Sequence, residues 1–169
     1  MKTRIFQSKR GITLLEMMAA VVIIGIISAL AVPSFEKSFQ RIKFRGQAKE
    51  SISMLRMARS NAITEKAPYG VHFDGTAYVI TMFKDKANLA SATYDVGADS
   101  VVRADSLSSE FVYLYSSFGN SAIVFQPNGS ASETGVIYMM SYTGNSVNFG
   151  ISTVLASTGK SKLEYIYNY

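Results

Sequence analysis

An uncharged stretch near the N-terminus constrains this chain more than any other feature. Residues 17–32 read MMAAVVIIGIISALAV, which is 16 residues without a charge. Extending the stretch to Ile12 and Phe35 gives 24 residues that include one charge, at Glu16. As a helix rising ~1.5 Å per residue it would be roughly 36 Å long, enough to cross a bilayer core of about 30 Å. Three interpretations compete: a secretory signal peptide, a simple membrane anchor, and a more specialised helix.

The position of Glu16 separates these interpretations. A signal peptide has a basic start, an apolar run of roughly 7–15 residues and small residues at the cleavage site. Ser28, Ala29 and Ala31 could supply the small residues, but the run is longer and has a carboxylate near its head. A carboxylate at the bilayer centre costs about 2.5–3.5 kcal/mol, and no basic residue inside the run can pair with it. Glu16 therefore favours the specialised interpretation.

The composition narrows the available chemistry. The chain has no cysteine and one histidine, His72, which excludes disulfides, thiolate metal sites and histidine clusters. Four of its 17 basic residues, Lys2, Arg4, Lys9 and Arg10, precede the apolar run and leave 13 against 12 acidic residues. The net charge of +5 therefore indicates a targeting segment first and a nucleic-acid partner only second. We expect no enzyme, no catalytic or metal site and no cofactor.

The residues at the start of the run form a motif. The order is Lys9-Arg10-Gly11-Ile12-Thr13-Leu14-Leu15-Glu16, followed by the apolar run and Pro33. It resembles the processing site of type IV prepilins and type II secretion pseudopilins, although Phe is usual where this chain has Ile12. The resemblance implies that a prepilin peptidase cuts between Gly11 and Ile12, that the new amine of Ile12 is methylated, and that Pro33 kinks the helix.

Cleavage at this junction would give Glu16 a partner. The new ammonium of Ile12 lies four residues before Glu16, and in a helical bundle Glu16 could pair with the Ile12 amine of a neighbouring subunit. Such a pair offsets the cost of burying both charges, whereas a mismatched register leaves one charge unpaired in hydrocarbon. We therefore predict an assembly salt bridge at Glu16.

The rest of the chain predicts a helical stem followed by strands. From Ser34 to about Lys66 apolar residues recur at spacings of three and four. Phe35, Phe39 and Ile42 begin this face, and the predicted continuation is Ala48, Ile52, Leu55, Ala58 and Ala62. Beyond residue 69 the apolar period changes to two, which is typical of strands. The predicted strands are 69–73, 76–83, 111–115, 122–126, 135–142, 147–155 and 163–167, with a long loop at 86–109 that contains a short strand near 101–102.

The predicted fold class is α+β: a long N-terminal hydrophobic helix, as in pilins, packed on an antiparallel β-sheet globular domain. Residues 1–11 are the predicted leader peptide, and residues 12–66 the N-terminal helix. Within that helix, 12–33 form the transmembrane and assembly part and 34–66 the amphipathic stem. Residues 67–169 form the β-rich globular head.

Three short segments carry a second resemblance. They read SMLRMARSNAI at 53–63, IVFQPNG at 123–129 and STGK at 157–160. In that order they resemble the stem helix, the turn and the terminal strand motif of GspH/FimT-type minor pseudopilins. The terminal motif more often has Arg where this chain has Lys160.

The resemblance implies a structural minor pilin or pseudopilin, built into or initiating at the tip of a type II secretion pseudopilus or type IV pilus. The implied partners are other pilins or pseudopilins, the prepilin peptidase and the inner-membrane assembly platform. The implied location is the bacterial inner membrane, spanned once, with the head in the periplasm or on an extracellular pilus.

The alternative function is DNA capture by a minor pilin of the FimT kind, with Lys160 and Lys162 as candidate DNA contacts. DNA capture needs exposed basic residues, because phosphate contacts supply the affinity. Beyond residue 86 the chain holds three basic residues, Arg103, Lys160 and Lys162, against six acidic ones. The other basic residues concentrate in the stem, which a filament would bury. The charges therefore favour the assembly role.

Overall fold

The computed structural model describes residues 11–86, 92–107, 111–143 and 146–168. In this part of the chain a long helix is followed by strands alone. The elements are α1 (Leu14–Glu65), β1 (Tyr69–Asp74), β2 (Val79–Lys84), β3 (Ser100–Ser106), β4 (Phe111–Ser116), β5 (Ala122–Phe125), β6 (Gly135–Thr143), β7 (Ser146–Leu155) and β8 (Lys160–Asn168). The α+β class predicted from the sequence is confirmed. The chain divides into two structural units, with the boundary after Phe39.

The first part of α1 is apolar apart from Glu16. Leu14–Val32 has a mean hydropathy of 2.5 over 19 residues, and the protein buries none of it. It is the one helical segment of the described chain that is long and apolar enough to cross a membrane, by length and composition. The helix is continuous through residue 33, so the kink at Pro33 stays a prediction.

The strands form two antiparallel sheets, where the sequence predicted one. The first has the order β3-β2-β1-β5 and the second the order β4-β6-β7-β8. Hairpins join β6 to β7 and β7 to β8, with Leu155 opposite Lys160 in the second hairpin. β5 leaves this sequential order and pairs with β1, placing Tyr69 opposite Phe125. β8 is thus an edge strand of the second sheet.

The turn between β1 and β2 is longer than predicted. The Asp74 Oδ1 atom accepts hydrogen bonds from the backbone N–H groups of Thr76 and Ala77, each at 2.8 Å. Tyr78 then adopts a positive φ of 55°, and β2 begins at Val79 rather than at Thr76. An Asx turn held by a side chain therefore replaces the first three residues of the predicted strand.

The stem of α1 supplies one wall of the core in residues 40–169. Its predicted residues Ala48, Ile52, Leu55, Ala58 and Ala62 are at most 5% exposed, and Phe44 is buried with them. The main partners from the sheets are Val71, Phe73, Ile80, Met82, Ile123, Phe125, Ile137, Met139 and Val154.

The predicted beginning of that face is wrong. Phe35, Phe39 and Ile42 are 60–73% exposed. At about 100° per residue, Ile42 lies about 120° around the helix from Ala48, so a spacing of six residues changes the face. Phe44, four residues before Ala48, takes the place that the prediction gave to Ile42.

Candidate functional site

The processing junction lies at the exposed start of α1. Ile12 is 73% exposed, and a Cβ atom added to Gly11 would meet nothing within 4 Å. Both residues flanking the predicted cut are therefore accessible to a peptidase. Cleavage and methylation at Gly11 and Ile12 stay predictions.

Thr13 caps the first turn of α1, a role that the sequence reasoning missed. The backbone N–H of Glu16 donates to the Thr13 hydroxyl at 3.2 Å, and the N–H of Met17 donates to the Thr13 carbonyl at 3.2 Å. Thr13 and Glu16 stand at the spacing of a capping box, a signal that was present in the sequence. A carboxylate in the first turn also interacts favourably with the helix dipole. Glu16 thus has a local helical role beside the intersubunit salt bridge, which stays a prediction.

The three segments that carried the second resemblance meet at Arg59. The Arg59 Nε donates a hydrogen bond to the Gly129 carbonyl at 2.9 Å. Gly159 approaches the same group so closely that a Cβ atom there would lie 2.2 Å from the Gly129 oxygen and 2.9 Å from Arg59 Nε. Gly129 and Gly159 have positive φ angles of 85° and 60°, which glycine adopts without strain. Arg59 of the stem therefore holds the turns at Gly129 and Gly159 of the head against the helix.

A groove runs beside this junction, between the stem and the edge strand β8. Its volume is approximately 1040 Å³. One wall is Lys49, Ile52, Ser53 and Arg56 of α1, and the other is the run 160–165 of β8 together with Thr153 and Leu155 of the neighbouring strand β7. A smaller cavity of approximately 310 Å³ continues past Arg56 to Arg59 and Gly159. We call these joined cavities the basic groove.

Most charged groups of the basic groove are positive. Lys49, Arg56 and Lys160 form no ion pair within the described residues. Lys162 pairs with Glu164 at 2.5 Å, and the hydrogen bond between them raises the pKa of Lys162. Because those two side chains are 75% and 59% exposed, the pair adds little stability.

The structure brings Lys160 and Lys162 together with basic residues of the stem. Both lysines lie in β8, which begins three residues before the predicted strand at 163–167. In the sequence, the basic residues of the stem and the C-terminal lysines form separate groups. The signal in the stem was Lys49, Ser53 and Arg56, whose spacing of four and three places them on one helix face. The position of β8 opposite that face depends on long-range pairing and had no comparable signal.

Other charged residues of the head form ion pairs or hydrogen bonds within the head. Arg103 of β3 pairs with Glu50 of α1 at 2.5 Å and with Asp105 at 2.6 Å. The buried Asp99 carboxylate accepts the backbone N–H groups of Lys86 at 2.9 Å and Asp95 at 2.8 Å. These contacts give the carboxylates of Asp99 and Asp105 structural roles.

The end of α1 is fixed to the first sheet by a polar cluster. Glu65 accepts hydrogen bonds from Lys84 at 2.7 Å and from the Tyr69 hydroxyl at 2.5 Å. The bond to Lys84 is the main cause that lowers the pKa of Glu65. Among residues 11–86, 92–107, 111–143 and 146–168 there is no group of three His, Cys, Asp or Glu side chains placed to hold a metal ion.

Solved structures show the same fold in two bacterial proteins. The type IV minor pilin FimU of Pseudomonas aeruginosa is 14% identical and has a TM-score of 0.55, covering 74% of this chain and 90% of that one. The minor pseudopilin EpsH of the type 2 secretion system of Vibrio cholerae is 13% identical with a TM-score of 0.52, covering 74% and 97%. At such low identities the likeness establishes the fold alone.

Sequence comparisons establish the family. The type IV major pilin protein PilA of Myxococcus xanthus is 42% identical over 60 residues, which are 36% of this chain and 27% of that protein. The prokaryotic N-terminal methylation motif matches residues 6–32, and the family of type II transport protein GspH matches residues 47–158, more than half of the chain. The chain therefore belongs to the GspH family of type II transport proteins, and its N-terminal segment carries the prokaryotic N-terminal methylation motif.

Proposed function

We propose that this chain is a structural subunit of a type II secretion pseudopilus or a type IV pilus, incorporated at or near the tip after cleavage by a prepilin peptidase. The observation that carries this proposal is the apolar segment of α1. Its large side chains from Leu14 to Val32 are 55–79% exposed, although the head buries its own core. Such a surface needs lipid or other apolar helices as its surroundings.

The processing junction between Gly11 and Ile12 sets the proposed order of events. The basic leader holds the N-terminus on the cytoplasmic side, as the excess of positive charge there favours. The peptidase cuts between Gly11 and Ile12, the new amine is methylated, and the head lies in the periplasm. Glu16 then pairs with the Ile12 amine of a neighbouring pilin as the inner-membrane assembly platform moves the helix out of the bilayer.

Mass spectrometry of the protein from the membrane fraction tests the first step. The expected mature chain begins at Ile12 and carries one methyl group on its amine. An N-terminus at Met1, or one created near Ala31, would contradict the proposal. A replacement of Gly11 by Val is the matched variant, because a bulky residue before the cut should leave the leader attached without altering the head.

A second candidate function, DNA capture, is favoured by the basic groove. Lys49, Arg56 and Arg59 lie beside Lys160, so the positive charge is more concentrated than the C-terminal lysines alone suggested. Phosphate contacts of this kind produce binding that weakens steeply with salt. The acidic residues of the head and the position of the stem inside a filament still favour the assembly role.

A gel-shift titration with the soluble head separates these two functions. Binding in the micromolar range that weakens with salt and disappears in the Lys160→Ala/Lys162→Ala double variant would support DNA capture. Binding that is absent at low salt would leave assembly as the function.

A further inference from the structure

We propose that the basic groove is a docking site for an extended, acidic segment of a neighbouring subunit, which pairs with β8 as an added strand. This inference rests on the proposed assembly function, because it takes the partner to be another pilin or pseudopilin. It assigns a role to a large cavity of the head.

The shape of the groove wall favours an added strand. Six consecutive residues of β8, from Lys160 to Tyr165, line the cavity. Side chains of a strand alternate between its two faces, so a consecutive run places the backbone edge itself along the cavity. β8 has β7 on one side and no further strand of the described chain on the other. The outward-facing backbone N–H and C=O groups of an edge strand are a template for another strand.

The length of the groove edge sets the length of the occupant. Six residues of a strand span about 20 Å at roughly 3.3 Å per residue. The opposite wall runs from Lys49 to Arg56 of α1, which is about 10 Å at ~1.5 Å per residue, and it has exposed Ser53 and buried Ile52 between the charges. A segment of about six residues therefore matches the length of the backbone edge, and about half of it also faces the basic residues of the helix.

The charge of the groove favours an acidic occupant. Lys49, Arg56, Lys160 and Lys162 line the groove, and Glu164 is its one acidic residue. Lysines on an edge strand also keep edges of other proteins from pairing unspecifically. In this groove the lysines also select the partner. A basic strand would be repelled, and a neutral strand would leave the lysines unpaired, whereas a strand with carboxylates at alternate positions gains ion pairs. The occupant that this surface fits best is an acidic strand.

A binding titration on the full chain in detergent micelles tests the inference. The probe is a fluorescein-labelled (Glu-Val)4 peptide, and the controls are (Lys-Val)4 and a (Glu-Val)4 peptide N-methylated at every residue, which has no N–H on either edge to pair with β8. At about 0.15 M ionic strength we expect a Kd on the order of 10–100 µM for the acidic peptide. Binding should weaken at least tenfold on N-methylation, and (Lys-Val)4 should not bind.

Matched charge reversals locate the site. Lys160→Glu and Arg56→Glu should each weaken binding at least fivefold. Lys86→Glu makes the same charge change on an exposed residue outside the groove and should leave it unchanged. Equal losses in all three variants would reduce the effect to net charge and overturn the inference, as would affinity that survives N-methylation. A dT12 oligonucleotide that binds more tightly than the peptide at the same ionic strength would assign the groove to nucleic acid instead.

Failure here and failure of the assembly role have different signatures. If no peptide binds at concentrations near about 1 mM while the mature chain begins at Ile12 and enters filaments, the docking inference alone is wrong. If Ile12 is not the mature N-terminus, the proposed function is wrong whatever the groove binds.

Discussion

Helix α1 has two parts that differ in how their apolar side chains are covered. Between Leu14 and Val32 its large apolar side chains are 55–79% exposed, whereas Phe44, Ala48 and Leu55 are at most 1% exposed. The stem obtains its cover from the sheets of its own chain, and the first segment has to obtain it from lipid or other subunits. Stability of the head and assembly of the filament should therefore respond to different mutations.

The largest expected effect separates the two segments directly. Glu16→Ala or Glu16→Val should be processed and inserted but should fail to enter filaments, because the amine of Ile12 in the neighbour loses its partner. Leaving one charge of a buried pair alone costs about 3–5 kcal/mol. Co-purification with sheared filaments measures this. Glu36→Ala, on the same helix and also exposed, is the control. Normal incorporation of the Glu16 variants would remove the pairing argument, since a simple anchor predicts no loss.

The second prediction concerns the core of the head. Leu55→Ala should lower the free energy of unfolding by about 2–5 kcal/mol, because Leu55 is fully buried and its removal leaves a cavity. Leu15→Ala, in the exposed segment, should not change it. Chemical denaturation of the full chain in detergent, followed by circular dichroism, gives both values. A similar loss for Leu15→Ala would mean that the two segments do not fold independently.

The third prediction sharpens the boundary itself. A fragment beginning at Gln40 should be soluble and monomeric and should give a mixed helix and strand spectrum, because the core of residues 40–169 uses none of the first segment. It should not respond to reductant, as the chain has no cysteine. Analytical ultracentrifugation with circular dichroism is the measurement. A mostly helical spectrum would contradict the fold.

The fourth prediction tests the junction at Arg59. Gly159→Ala combines a positive φ with a clash against the Gly129 carbonyl, whereas Gly97→Ala has a positive φ of 88° and open space. The backbone strain should cost about 1–2 kcal/mol at either position. The larger loss of thermal stability in Gly159→Ala then measures the close contact. Equal losses would mean that this contact relaxes without cost.

The smallest expected effect is a pH dependence of the head. Burial of His72 beside Tyr94, with ring centroids 5.2 Å apart, lowers the pKa of this histidine from its usual 6.5, although Asp74 opposes the shift. Below pH 6.5 the unfolded chain then binds a proton that the folded chain does not, so stability should fall as the pH decreases from there toward the folded pKa. His72→Gln should flatten this part of the profile. The further loss at lower pH should remain, since Glu65 and Asp74 have lowered pKa values.

Local patterns in the sequence predicted most elements of this protein. The apolar run, the stem face from Ala48 to Ala62 and the alternating strands are readable because each depends on a period of 3.6 or 2 within one element. The errors are local as well. Ile42 was assigned to the wrong face because of a spacing of six residues. The first three residues of the second predicted strand instead form the turn that the Asp74 side chain holds.

Long-range pairing is what the sequence by itself could not determine. The sequence contained the processing motif, the capping pair Thr13 and Glu16, and the three segments that meet at Arg59. Nothing in the sequence of those three segments indicated that they lie together in the fold. The choice of β1 as the partner of β5, the division into two sheets and the position of β8 opposite Arg56 were decided by tertiary structure. The reason is that these contacts join residues more than about 50 positions apart, where the free energy depends on how whole faces fit together rather than on local propensity.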